Sequence, residues 1–310
     1  MIAMKFYPEG VNNALCKRFE SIEEVKQAIA SGEIFEGRVL LCDKEHNLHV
    51  DLGCIRGIIP HNEGAIGILE GTVRDIALIS KVNKRVCFRV MGLHREASNQ
   101  TVAVLSRRNV QLSALEEIRK WRLGDVIDAR VTHLESFGAF IDIGAGINSL
   151  IPIDMLSISR ISSTAERLRD GQLIRAVLRK IEDEKYTFSL KELLGTWSQN
   201  AQLFSTGETV TGVVRSVESY GVFIELMPNL AGLAEPCIDL EVGQAVSVYI
   251  KSILSDRMKI KLVIVEAFND FPPPSELIYF TDESHIDYWN YSPDNAAKQV
   301  FTNFKTTPNG

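Results

Sequence analysis

The sequence has 310 residues, of which 45% are hydrophobic and 24% charged, with a formal net charge of −6 at pH 7. This length suits two or three globular domains, and no apolar run is long enough to cross a membrane. Five scattered cysteines without a CxxC pair argue against a disulfide framework and against a thiolate zinc site. Because the first ten residues also lack a secretion signal, we expect a cytoplasmic protein with reduced thiols.

The acidic charge is concentrated near the end of the sequence. Residues 265–310 contain seven acidic residues against two lysines, so the preceding residues have a net charge of only −1. No basic run is present either. The charge pattern therefore leaves nucleic-acid binding open and predicts a modest contribution from phosphate contacts.

The sequence predicts one helix before the strands of the first copy and another helix after them. Ser21 stands three residues before Glu24, which is capping-box spacing, and apolar residues recur on one helical face up to Gly32. A short N-terminal helix is predicted there. After a series of strands, leucine spacing predicts a helical linker, with the helix itself over about residues 110–121.

The clearest strand pattern lies at residues 135–143, which read ESFGAFIDI. Period-2 alternation puts Ala139 and Ile141 on the core face and Phe140 on the outer face. Phe137 would alternate inward, but a bulge at the following glycine would turn it outward. Two exposed rings on one sheet face form a stacking platform for unpaired bases. The alternative is that one or both rings pack under a neighbouring loop.

The pattern recurs, which indicates a repeat architecture. Residues 218–226 read ESYGVFIEL, with Tyr220 and Phe223 in the two aromatic positions. An upstream copy fits the same frame with histidines there, His46 and His49. Five strands with a short helical interruption after the third describe an OB-fold, a small Greek-key barrel. The predicted fold class is mainly β, with tandem five-stranded OB-fold barrels joined by short helical linkers.

The domain organisation follows from the spacing of the copies. The acidic tail is too rich in aromatic residues for plain disorder, so we expect it to dock on this protein or on a partner. The predicted segments are an N-terminal segment with a short helix (1–31), a degenerate OB-fold (32–108), a helical linker (109–122), an OB-fold (123–192), a second helical linker (193–206), a shortened OB-fold (207–264) and an acidic aromatic tail (265–310).

The copies resemble the S1 RNA-binding domain, the OB-fold repeat of bacterial small-subunit ribosomal protein S1 and of several RNA-decay enzymes. The family pattern has a strand-opening glycine, the motif [FY]-G-[AV]-F, a glycine turn and a last strand ending near LSxK. Copy two matches at Gly124, residues 137–140 and residues 188–191, and copy three at residues 220–223. Copy one matches only in part. The resemblance covers roughly residues 32–264.

The resemblance implies that single-stranded RNA binds on the aromatic face, helped by basic residues on nearby strands. In copy one the aromatic positions are His46 and His49. Pro152 and Glu235 stand where many family members have a third-strand histidine, which lowers the expected affinity. For each basic residue, the alternative is a solvated charge beside an acidic neighbour. The residues assigned in this way are Phe137, Phe140, Tyr220 and Phe223, with the basic residues Arg130, Arg179, Lys185, Lys251 and Arg257.

Copy one also suggests a metal site. His46, His49, Asp51 and His61 offer ligand atoms, but His61 lies beyond a turn and the repeat frame already explains the other positions. We therefore predict no metal and no cofactor. The sequence has no GxSxG motif, no Walker loop and no attached nuclease domain, so an enzyme is not expected.

The sequence thus predicts binding of single-stranded RNA or mRNA through tandem S1 domains, with a role at the ribosome that assists translation. The small ribosomal subunit is a second candidate partner, and no membrane partner is expected. The alternative is a non-enzymatic protein-interaction scaffold, or an accessory factor in transcription or RNA decay. In that case the C-terminal tail would contact a protein partner.

Overall fold

The structure is a computed structural model, and it describes residues 6–97, 99–237, 239–273 and 276–305. The first five residues of the predicted N-terminal segment and the last five of the predicted tail lie outside the described residues. No helix in these ranges is long and apolar enough to span a bilayer.

The chain divides into two compact units. The first-barrel unit comprises Ala3–Trp121 and Asp142–Asn148. The barrel-pair unit comprises Arg122–Ile141 and Ser149–Gly310. The described residues form three closed five-stranded barrels, one in the first unit and two in the second, which confirms the predicted fold class.

The first barrel has the strand order β1-β2-β3-β5-β4, in which β3 and β5 run parallel. Its strands are β1 (Phe35–Cys42), β2 (Leu48–Asp51), β3 (Arg56–Ile59), β4 (Arg85–Arg95) and β5 (Thr101–Ser106). Between β3 and β4 the chain forms a 3₁₀ turn (His61–Glu63) and the helix α2 (Ile76–Ile79). The barrel interior is filled by fully buried side chains that include Leu48, Phe88 and Leu105.

Two helices flank the first barrel. Helix α1 (Ile22–Ser31) begins as predicted, because the Glu24 N–H donates to Ser21 Oγ at 3.3 Å, and it ends at Gly32 in the left-handed region. Helix α3 (Arg107–Ile118) begins three residues earlier than predicted. The Ser106 side chain provides the reason, since its Oγ accepts the Asn109 N–H at 2.9 Å.

The barrel-pair unit holds the second and third barrels, with strand orders β10-β8-β7-β6-β9 and β11-β12-β13-β15-β14. The second barrel consists of β6 (Val126–Glu135), β7 (Gly138–Asp142), β8 (Asn148–Pro152), β9 (Leu173–Glu182) and β10 (Lys185–Ser189). The third consists of β11 (Thr209–Glu218), β12 (Gly221–Met227), β13 (Leu230–Ala234), β14 (Ala245–Leu254) and β15 (Lys259–Ala267). Between the two barrels lies the short helix α4 (Trp197–Ala201).

The C-terminal segment docks on this protein, which is one of the two possibilities that its composition left open. It forms a hairpin of β16 (Tyr288–Asn290) and β17 (Phe301–Asn303). Trp289 and Phe304 are buried in the same apolar cluster as Trp197 and the interior of the third barrel. The Tyr291 hydroxyl donates to the Asn229 carbonyl at 2.7 Å. The segment therefore completes the hydrophobic core of the barrel-pair unit.

Buried ion pairs join the two barrels of this unit. Glu225 on β12 accepts a hydrogen bond from Arg167, which lies between β8 and β9. It also accepts two from Arg215 on β11, at 2.9 and 3.0 Å. Arg167 and Glu225 are only 3% and 5% exposed. Because each charge has a partner, the burial is tolerated, and the contact ties the second barrel to the third.

A second buried ion pair lies in the first-barrel unit. Glu9 accepts hydrogen bonds from Arg107 Nε at 2.6 Å and from Lys81 Nζ at 3.1 Å. Burial would raise the pKa of Glu9, but the two cations outweigh it and hold the pKa at about 2. Asp142 accepts the Glu9 N–H at 2.8 Å, and burial together with the Glu9 charge raises its pKa to about 6.

Glu36 is another buried carboxyl group of this unit. Its two oxygens share the Gly10 N–H, each at 3.1 Å, and burial raises its pKa to about 7. The folded state therefore keeps a proton that the unfolded state loses. The free energy of unfolding falls as the pH rises from the unfolded pKa near 4.5 to the folded pKa near 7.

We expect Glu36→Gln to flatten this pH dependence, because glutamine is neutral throughout. Urea unfolding should show that the free energy of unfolding decreases between pH 5 and pH 7.5. This decrease should be smaller in the variant than in the wild type by on the order of 1–3 kcal/mol. Glu33→Gln on the exposed surface is the matched control and should keep the wild-type slope. Equal pH dependence in Glu36→Gln and the wild type would contradict a raised pKa at Glu36.

Candidate nucleic-acid interface

The second barrel presents two aromatic rings at the start of β7. Phe137 is 54% exposed and Phe140 is half-buried, and their ring centroids lie 6.0 Å apart at an interplanar angle of 89°. Ala139 and Ile141 between and beyond them are fully buried. The predicted alternation is therefore confirmed by burial, and the edge-to-face pair leaves ring surface open to a ligand.

The bulge proposed for Phe137 needs correction. Phe137 lies in the two-residue turn before β7 begins at Gly138, so it reaches solvent from the turn rather than from a bulge inside the strand. Gly138 has a different role. A Cβ atom there would come within 2.6 Å of the Ile151 carbonyl oxygen, so glycine is needed for the close approach of β7 to β8.

The third barrel repeats this geometry. Tyr220 lies in the turn before β12 and is 65% exposed, and Phe223 is half-buried on the strand. Their ring centroids lie 6.2 Å apart at an interplanar angle of 86°. Val222 and Ile224 point into the barrel and are fully buried. Two copies of one motif thus produce two aromatic platforms of nearly the same shape.

The structure gives the predicted basic residues different surroundings. Arg130, on β6 next to the platform strand β7, is half-buried and its Nε donates to the Gly171 carbonyl at 3.4 Å. Lys185 is exposed at the start of β10, which pairs with β8. In the third barrel, Lys251 and Arg257 are exposed on β14 and in the turn after it. Neither belongs to the strands that flank the platform strand β12, which are β11 and β13.

Arg179 contacts the C-terminal segment. Its guanidinium carbon lies 5.6 Å from the centre of the Phe304 ring, which is a cation–π distance. Arg175, on the same strand, donates to the Glu283 carbonyl at 2.7 Å. Arg175 and Arg179 on β9 thus help to hold the docked C-terminal segment. The sequence of β9 alone does not predict this role.

Lys261 is a candidate that sequence reasoning missed. Phe223 pairs with Leu233 across β12 and β13, and Leu233 pairs with Lys261 across β13 and β15. Residues in one row across a sheet share a face, so the exposed Lys261 lies on the platform side, two strands from Phe223. The signal that finds it is the strand register, because the two residues are far apart in sequence.

The corresponding row of the first barrel differs. His49 pairs with Ile58, and Ile58 pairs with Val104, so the row contains no cation. The His49 side chain is 12% exposed, and its Nε2 lies 2.9 Å from Asp43 Oδ2. Among the described residues, the two motif positions of the first barrel, His46 and His49, therefore form no exposed ring pair like those of the other two barrels.

The four ligand candidates of the first barrel are divided by the structure. His49 pairs with Asp43, and Asp51 Oδ2 lies 2.8 Å from Arg18. His46 and His61 instead meet at a different carboxylate, Asp75. The set of four weighed from the sequence is thus replaced by a set of three.

Comparisons with known proteins agree with the barrel topology. The family model described as S1 RNA binding domain matches residues 120–191, which include the whole second barrel. The small ribosomal subunit protein bS1 homolog of Bacillus subtilis (strain 168) is 28% identical over 262 residues, covering 79% of this chain and 66% of that protein. The bS1 homolog of Bacillus cereus is 26% identical over 300 residues, covering 90% and 72%.

A third relative aligns over fewer residues, and a solved structure has a lower sequence identity. The bS1 protein of Leuconostoc lactis is 27% identical over 235 residues, which cover 73% of this chain and 52% of that protein. A multidomain protein with nucleic acid binding domains from Streptococcus pneumoniae is 12% identical and covers 76% of this chain and 74% of its own, with a TM-score of 0.25.

The barrels and the matched domain together define a tandem OB-fold protein whose second barrel matches the S1 RNA binding domain. Within that class, the chain is similar to the bS1 homologs of Bacillus subtilis and Bacillus cereus, at 28% and 26% identity. The chain spans 66% of the length of the Bacillus subtilis relative and 52% of the Leuconostoc lactis relative.

Proposed function

We propose that this protein binds single-stranded RNA through its second and third barrels. The observation that carries the proposal is the repeated platform, in which an exposed turn aromatic meets a half-buried strand aromatic at 6.0 and 6.2 Å. Every base has a flat face that stacks on such rings, so the platforms would bind RNA with little sequence preference. Lys261 and Arg130 supply positive charge near the platform strands.

The connection between the two barrels strengthens the proposal. Both platforms belong to one unit, whose barrels share an apolar cluster and the buried ion pairs of Glu225. A strand that occupies the first platform therefore reaches the second at a high effective concentration. Two modest sites would then bind a long RNA much more tightly than a short one.

The relatives suggest the biological setting of this activity. These relatives are named as proteins of the small ribosomal subunit, so we extend the proposal to mRNA binding at the small subunit, in support of translation in the cytoplasm. No catalytic step is needed for this role. In the first barrel, His46 and His49 pair with aspartates and therefore offer less ring surface to RNA. This observation favours a second candidate function, in which the first barrel contacts protein partners.

Affinity purification with and without RNase separates the two functions. Partners that disappear after RNase treatment support RNA as the main ligand. Partners that remain after the treatment, together with absent RNA binding by the purified protein, would favour a protein scaffold instead.

Phe140→Ala should weaken RNA binding by about 1–3 kcal/mol, because it removes one stacking surface. Phe223→Ala should behave similarly. The measurement is fluorescence anisotropy at low salt with a labelled oligouridylate of about 20 nucleotides, long enough to reach two OB-folds of roughly 4–16 nucleotides each. The salt dependence should barely change, because neither ring contacts a phosphate.

Two further variants serve as controls for this prediction. Ile141→Ala, at the fully buried position next to Phe140, should instead destabilise the fold by about 2–5 kcal/mol. Lys261→Gln should reduce the slope of log affinity against log salt by about one, the effect of losing a phosphate contact. A folded Phe140→Ala protein with wild-type RNA affinity would show that the ring is not part of the interface.

A further inference from the structure

A cluster of two imidazoles and a carboxylate in the first-barrel unit is not used by the proposed function. His46 comes from the turn between β1 and β2, His61 opens the 3₁₀ turn after β3, and Asp75 directly precedes α2. Each offers one ligand atom, and these atoms all lie within 4.8 Å of one another. Three separate segments of the chain thus bring metal-ligating groups together.

The backbone and the hydrogen bonds both direct these side chains to one point. His46 has a φ of 61°, a left-handed conformation that is uncommon for residues other than glycine, and its Nδ1 lies 3.3 Å from Asp75 Oδ2. Asp75 occupies the N-cap position of α2, yet its side chain makes no capping hydrogen bond. Its other oxygen lies 2.7 Å from His61 Nε2. The carboxylate therefore contacts the two imidazoles instead of the helix end.

The chemistry of these donors selects a class of ion. Imidazole nitrogen with carboxylate oxygen suits Zn²⁺ and similar divalent transition metals, whereas Mg²⁺ and Ca²⁺ prefer oxygen ligands alone. In a tetrahedral zinc site, bonds of about 2.0–2.2 Å put neighbouring ligand atoms roughly 3.4 Å apart. The His46–Asp75 separation of 3.3 Å is already close to that value.

The cluster is also accessible. The side chains of His46, His61 and Asp75 are 35%, 40% and 47% exposed. An ion can therefore enter from solvent, and water can complete the coordination, as it does in zinc sites with three protein ligands.

We propose that His46, His61 and Asp75 form a binding site for a divalent transition metal of the Zn²⁺ type. The ion replaces the two histidine–aspartate hydrogen bonds. It thereby links the turn between β1 and β2 to the start of the 3₁₀ turn and to the residue that precedes α2. Because it binds the folded state alone, it stabilises the first-barrel unit by mass action. The proposal does not depend on RNA binding.

The test is a titration of the full-length, chelator-treated protein with ZnCl₂, followed by calorimetry, and with CoCl₂, followed by optical absorption. One ion per chain is expected, with cobalt d–d bands and no thiolate charge-transfer band. MgCl₂ should not compete. His61→Gln and Asp75→Asn should each weaken Zn²⁺ binding by about 10-fold or more.

His49→Gln is the matched control, because His49 also pairs with an aspartate, at 2.9 Å, but lies outside the cluster. It should keep wild-type Zn²⁺ affinity. His46→Gln, on a different segment, repeats the test if His61→Gln does not fold. The proposal is overturned if the wild type binds no Zn²⁺. It is also overturned if the cluster variants keep full affinity, as they would if the exposed Cys16 or Cys54 held the ion with a thiolate charge-transfer band.

Discussion

Trp289→Ala is expected to destabilise the barrel-pair unit by about 3–5 kcal/mol, the usual cost of removing a buried indole. Trp289 is 7% exposed, and its ring lies 5.7 Å from that of Tyr291. Both belong to the apolar cluster that includes Trp197 and the third-barrel interior. The substitution would leave a cavity bounded by β-barrel and hairpin residues, which cannot collapse easily. Urea unfolding followed by circular dichroism measures the loss.

The neighbouring residue provides a strict control. Tyr288 stands next to Trp289 on β16 but faces the other side and is 51% exposed. Tyr288→Ala should therefore change the free energy of unfolding by roughly 0.5 kcal/mol or less. If Trp289→Ala were as mild as Tyr288→Ala, the C-terminal segment would not be part of the core.

The expected loss of stability would assign a structural role to the acidic C-terminal segment. A segment that completes the core is a structural element of the barrel pair, and its backbone carbonyls hold Arg175. Arg179, which faces Phe304, then stabilises the docked segment. We accordingly expect Arg179 to contribute less to RNA affinity than Lys261, which is exposed and lies in the strand row of Phe223.

Glu225→Ala is expected to cost about 3–5 kcal/mol, because it leaves two guanidinium groups in a buried position without their shared carboxylate. Arg215 binds both oxygens of Glu225, and Arg167 reaches the same group from the second barrel. Burial lowers the pKa of Arg167 and the Glu225 charge opposes that effect. Without Glu225 the cost of burying the charge is no longer offset. Urea unfolding again gives the change.

A solvent-exposed pair in the same unit is the comparison. Lys180 and Glu182 lie 2.6 Å apart with side chains 58% and 63% exposed. Glu182→Ala should cost about 0–1 kcal/mol, since water screens the pair. If both substitutions changed the free energy of unfolding equally, the Glu225 network would contribute no more to stability than a solvent-exposed ion pair.

Glu225→Ala also tests how the platforms cooperate. If the network fixes the second barrel against the third, its loss should weaken binding of a long RNA more than binding of a short one. A short oligonucleotide that covers one platform should keep nearly wild-type affinity for the Glu225→Ala protein, provided that this variant remains folded.

Local periodicity in the sequence was enough to predict the strands and the side chains that they bury. Alternation assigned Ala139 and Ile141 to the interior and Phe140 to the outer face, and the burial of these residues agrees. The recurrence of the motif predicted tandem barrels, which the closed sheets confirm. Successive strand residues point to opposite faces whatever the rest of the chain does, so a short segment contains this information.

Contacts between distant segments could be identified from the folded structure alone. It brought Lys261 into the row of Phe223, turned Arg179 to Phe304 and joined His46 to Asp75. In each case the partners come from segments that are not adjacent in the sequence. Periodicity identifies the face on which a side chain lies, but strand register and loop packing determine what covers that face. These depend on contacts between distant residues, which no local pattern contains.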